Sequence, residues 1–97
     1  MLIFISEYMN KEITHKKKAD LLKALGHPIR FCIVEGLIQQ ESNVNQMVAC
    51  IGIPQPTVSQ HLNILKAAGI IEGRRDGAQI IYSVSDPTAR DVVNALK

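Results

Sequence analysis

The apolar positions of this chain recur at helical spacing through most of its length. Val44, Met47, Val48 and Ile51 fall at i, i+3, i+4 and i+7, which is one face of a helix. Gly52 follows them and suits a helix end that takes positive φ. Pro54 and Pro56 then stand where a second helix begins. Proline is tolerated there because first-turn N–H groups have no intrahelical partner. Val58, Leu62 and Leu65 form the inward stripe of this second helix, and Ser59, Gln60 and Asn63 point away from it. Gln55 and Thr57 join that polar face near its start.

The flanking segments continue the pattern. From about Thr14 a helix is predicted with Leu21, Leu22 and Leu25 as its apolar stripe and Gly26 as its stop. His27-Pro28 opens another that runs to about Gln40, with Phe31, Ile33, Val34, Leu37 and Ile38 facing inward. Ala67-Ala68-Gly69 closes the polar-faced helix. Ile70 to Arg74 and Gln79 to Val84 read as strands, with Asp76-Gly77 as the hairpin turn signal. Asp86 or Ser85 caps a last helix begun by Pro87, with Ala89, Val92, Val93 and Leu96 on one side. Residues 1–15 are ambiguous: Ile3, Ile5 and Tyr8 fit a strand or a helix.

The predicted fold is mainly α with a β-hairpin, a winged helix-turn-helix in a single domain over 1–97. The helix-turn-helix covers about 43–66 and the wing about 70–84. A helix with one buried face and one face of short amides and hydroxyls fits a major groove; a solvated face on an ordinary amphipathic helix is the competing reading. The candidate DNA-binding residues are Gln55, Thr57, Ser59, Gln60, Asn63, Arg74 and Arg75. Strand alternation points Arg74 away from the face of Arg75.

Composition narrows the function classes. Ninety-seven residues with 46% hydrophobic content make one globular domain. Aromatics at 4% argue against base stacking on single strands. A net charge of +2 permits DNA binding without requiring it. No apolar run is long enough for a transmembrane helix. The N-terminal apolar residues precede the lysines, the reverse of a signal peptide, so a cytoplasmic location is expected. No nucleophile–base pair, phosphate loop or paired-acid motif stands at interpretable spacing, so no enzyme is expected.

Three segments together resemble the ArsR/SmtB family of bacterial winged-helix repressors: LLKALGHPIRFCIVEGL, IGIPQPTVSQHLNILKAAGII and GRRDGAQIIYSVSDP. The resemblance covers roughly residues 19 to 93. It implies a homodimer built from the first and last helices, recognition helices in successive major grooves of double-stranded operator DNA, and wings over the flanking minor grooves. A two-fold dimer predicts an inverted-repeat operator. A protein-interaction module without DNA binding is the alternative.

Many members of that family sense metals, and this chain departs from their ligand patterns. The stretch matching a cysteine pair is Asn43-Val44-Asn45. Asp86 matches the first ligand position of the last-helix site, but Thr88 stands where a histidine is needed, and the second half of that site falls beyond Lys97. No metal and no cofactor are expected. Cys32 and Cys50 are read either as incidental thiols or as a redox switch in a redox-responsive repressor. His61 is expected to pack or to reach a phosphate. Arg30 is expected to contact the DNA backbone or to pair with a carboxylate within the dimer.

Overall fold

The computed structural model describes residues 12–97. The expectations for Ile3, Ile5 and Tyr8 fall outside the described residues. Within them the order is α1 (Glu12–Leu25), α2 (Pro28–Gln39), α3 (Val44–Ile51), α4 (Gln55–Ala67), β1 (Ile71–Asp76), β2 (Gln79–Val84) and α5 (Pro87–Ala95). The architecture is a winged helix-turn-helix: α3 and α4 form the helix-turn-helix, and the β1–β2 hairpin is the wing.

Several helix ends have a local cause. His27 caps α2 by accepting the Ile29 N–H at its Nδ1, with Pro28 in the first turn. Asn43 and Gln46 make a reciprocal capping box at α3, and Gly52 ends that helix in the left-handed region at φ 80°. Pro54 precedes α4 without a side-chain cap. At its far end Ile70 N–H bonds Leu65 O and Gly69 N–H bonds Lys66 O, with Gly69 at φ 75°. That is a Schellman closure, and its hydrophobic pair is Leu65 and Ile70, both wholly buried. Asp86 caps α5 through Oδ1, which accepts from Thr88 and Ala89 N–H. Ser85 instead turns its hydroxyl to Gly69 O.

One core joins all of these elements. It includes Leu21, Ala24 and Leu25 of α1, Ile33, Val34 and Leu37 of α2, Met47 of α3, and Val58, Leu62 and Leu65 of α4. Ile70 before the wing, Ile71, Tyr82 and Val84 from its base and Ala89 and Val93 from α5 complete it. Burying a side chain such as Leu62 contributes about 1.5–3 kcal/mol.

Phe31 and Ile38 face inward as expected, half-buried against the core, and Val92 packs there beside the buried Ala89 and Val93. Leu96, expected on the side of those three, lies past the last turn of α5 and is 69% exposed. Two expectations need correction. Leu22 is 56% exposed; the stripe of α1 runs through Leu21, Ala24 and Leu25, at i, i+3 and i+4, and leaves Leu22 off its edge. The first wing strand begins and ends later than expected, while the second keeps its expected bounds: Asp76 is still in β1, paired with Gln79, so the two-residue loop is Gly77-Ala78. Gly77 at φ 65° takes the first loop position, where the hairpin needs positive φ.

Candidate nucleic-acid interface

The inner stripe of α4 presses Val58, Leu62 and Leu65 into the core, and none is more than 1% exposed. This fixes the rotation of the helix. Gln55, Gln60 and Asn63 are therefore exposed, and Thr57 and Ser59 are half-buried at the edge of the polar face. The face is uncharged; Lys66, in the last turn, is the charged side chain of α4. Such a face offers donors and acceptors of the kind that read base edges.

Behind it, α4 is held by a clasp of three side chains. The Arg30 guanidinium donates from Nε to Ala24 O at 2.6 Å and from Nη2 to Lys23 O at 3.4 Å, covering the last carbonyls of α1. Its Nη1 lies 3.3 Å from His61 Nδ1 on α4. Arginine only donates, so that Nδ1 is an acceptor and the neutral His61 carries its proton on Nε2. The His61 ring leans on His27 with centroids 4.6 Å apart. Partial burial, then the neighbouring His27 and Arg30 charges, push the His61 pKa below its ordinary value. His61 thus packs, one of its two expected roles. Within one protomer the Arg30 guanidinium ties the end of α1 to α4, and it makes no ion pair among the described residues.

The wing is fastened differently. Ser42 and Tyr82 exchange both backbone hydrogen bonds, at 3.3 and 2.9 Å, which adds a one-residue third strand beside β2. Asn43 Nδ2 donates to Gln79 Oε1 at 2.6 Å. Arg74 Nη1 lies 2.6 Å from Glu41 Oε1. That hydrogen bond and the Glu41 charge, with Asp76 adding to them, raise the Arg74 pKa further. The Arg75 side chain makes no hydrogen bond or ion pair among the described residues. The register sets Arg75 opposite Ile80 and Arg74 opposite Ile81, so the two arginines stand on opposite faces of the hairpin.

The two cysteines are unpaired thiols, exposed on α2 and α3. Among the described residues no three His, Cys, Asp or Glu side chains gather closely enough to hold a metal ion. Asp86, which matched a ligand position, is occupied as the α5 cap. No helix among the described residues is long and apolar enough to cross a membrane.

Sequence reasoning missed Glu41, Asn43, Gln46 and Gln79, which anchor the wing and its supporting loop. Asn43-x-x-Gln46 is a legible capping-box pattern. Glu41 and Gln79 carry no local signal, because their partners are 33 and 36 residues distant.

Comparison with known proteins agrees with this geometry. Residues 27–72 match the profile of the bacterial regulatory protein, arsR family. The chain is 41% identical over 92 residues to a biofilm growth-associated repressor of Xylella fastidiosa, covering 92% of this chain and 81% of that protein. It superposes on the transcriptional repressor PagR of Bacillus anthracis with a TM-score of 0.82 and 32% identity, covering 89% of this chain and 99% of that one. A homodimeric winged helix-turn-helix DNA-binding domain from Mycobacterium bovis, described as a possible ArsR-family regulator, matches with a TM-score of 0.81 and 27% identity, over 89% and 80% of the two chains. The chain belongs to the arsR family of bacterial regulatory proteins.

Proposed function

We propose that this protein is a homodimeric transcriptional repressor that binds an inverted-repeat operator in double-stranded DNA. The observation that carries the reading is the division of α4: a fully buried stripe on one side and, on the other, an uncharged face of exposed amides edged by the half-buried hydroxyls of Thr57 and Ser59. Gln55, Ser59 and Gln60 read base edges, and Thr57 and Asn63 hold phosphates or neighbouring bases. Arg75 brings wing charge to the backbone or minor groove. The domain spans the whole chain, 1–97.

Dimerisation is supported by the apolar surface left open on the first and last helices. Among the described residues Leu22 on α1 and Leu96 after α5 are the two most exposed large apolar side chains, and Val92 is half-buried between them in sequence. A groove of about 700 Å³ between α1, the end of α4 and the start of α5 is lined by Leu21, Leu22, Ala68 and Val92. A second copy laid on this side by a two-fold axis would cover both leucines, and a two-fold dimer is expected to present its two α4 helices about one helical turn of DNA apart.

Genome-wide mapping of the protein on its own chromosome tests the reading. Occupancy should concentrate at promoters and centre on inverted repeats. Uniform or absent occupancy, with the protein instead recovered on another protein, would favour an interaction module.

A further inference from the structure

The two arginines of the wing are adjacent in sequence, yet their surroundings differ in sign. On β1, Glu72, Arg74 and Asp76 share one face by alternation, and β2 contributes no charge. Glu41 joins the same face from the third strand, since Ser42 pairs with Tyr82 on the other. This outer face therefore holds three carboxylates and one guanidinium. The guanidinium is held by Glu41 at 2.6 Å, across β2 and above its register partner Ile81. The opposite face carries Ile71, Gly73 and Arg75 against Val84, Tyr82 and Ile80. Its base is in the core; its tip presents Arg75 as the one charged side chain, with half-exposed Ile80 beside it.

A phosphate backbone brought to the outer face would meet net negative charge, and would have to draw Arg74 from a carboxylate already in contact. Brought to the tip of the other face, it meets an unopposed cation and an apolar side chain. We propose that Arg74 is a positioning residue that straps β1 across β2 to Glu41, and that Arg75, with Ile80 at its side, is the wing's sole arginine for DNA. The assignment rests on the DNA-binding reading above and sharpens it. The strap, with the Asn43–Gln79 bond and the Ser42–Tyr82 bridge, sets the angle at which the wing leaves the body.

The dependence of log affinity on log salt separates the roles, because each phosphate neutralised adds about 0.9 to the slope. The duplex is one enriched from a random pool by the full-length protein. Arg75→Ala should reduce the slope by about 0.9 per protomer. Arg74→Ala and Glu41→Ala should each weaken binding about two- to five-fold, the range for an exposed ion pair, and leave the slope unchanged. The double swap Glu41→Arg with Arg74→Glu should return affinity close to the parent, whereas Arg74→Glu alone should not. A slope that falls as far for Arg74→Ala as for Arg75→Ala overturns the assignment while keeping the wing on DNA, as does a double swap no better than Arg74→Glu. A slope unchanged by Arg75→Ala removes the wing from DNA, and the proposal with it.

Discussion

The recognition helix and the wing are held by different forces. Helix α4 is fixed by burial: its inner stripe is at most 1% exposed, and Arg30 and His61 add a polar clasp from behind. The wing is buried only at its base, through Ile71, Tyr82 and Val84, where Tyr82 also bridges Ser42, and its outer half is tied to the α2–α3 loop by the Asn43–Gln79 hydrogen bond and the Arg74–Glu41 ion pair. Burial resists displacement strongly and is insensitive to salt. Exposed polar contacts are weaker and easily exchanged for solvent. The helix is therefore suited to fixed reading of base edges, and the wing to adjustable contact with a backbone.

This contrast predicts a large asymmetry in stability. Leu62→Ala should cost about 2–5 kcal/mol, because it leaves a cavity at the centre of the core. Ile80→Ala on the wing should cost no more than about 1 kcal/mol, since Ile80 is 43% exposed. Equal losses in denaturant unfolding would break the comparison.

The wing has one tightly packed position. A Cβ placed on Gly73 would lie 2.7 Å from Ile80 Cγ2 and 3.2 Å from Tyr82 Cε1. Gly73→Ala should therefore cost about 1–3 kcal/mol as overpacking. Most of that should return in an Ile80→Ala background, measured as a double-mutant cycle. Additive costs would mean that Ile80 is not what crowds the site.

The smallest effect is a pH dependence of the clasp. The folded-state His61 pKa is lowered, so on acidification the unfolded chain takes up its proton first. The neutral-form stability is present above about pH 6.5 and is lost as pH falls from there through the lowered folded value. His61→Gln keeps an acceptor for Arg30 and cannot titrate in this range. Its thermal midpoint should decline less than the parent's over the same acid window. Parallel declines would remove His61 as the cause.

The same contrast explains what the sequence made legible. Helical periodicity found the stripe of α4 and the face of α3, because both are set by local spacing and burial. Gly52, Gly77, Pro28 and Asp86 took the turn and cap positions their chemistry suits. Periodicity cannot tell an inward stripe from one turned toward open surface, and so it counts the exposed Leu22 in the stripe of α1. Strand alternation separated Arg74 from Arg75, but the Glu41 partner comes from a loop 33 residues away. The carbonyl partners of Arg30 carry no signal in the sequence, because they depend on the crossing of α1 and α2.

The central claim is that the exposed face of α4 reads sequence while the wing contributes charge. It is tested most directly by selecting duplexes from a random pool with the parent protein and with Gln60→Ala. The parent should enrich an inverted repeat, and Gln60→Ala should flatten preference at one or two symmetry-related positions in each half-site, at a cost of about 1–3 kcal/mol on the best site. A folded Gln60→Ala variant with unaltered affinity and an identical enriched sequence would contradict the account.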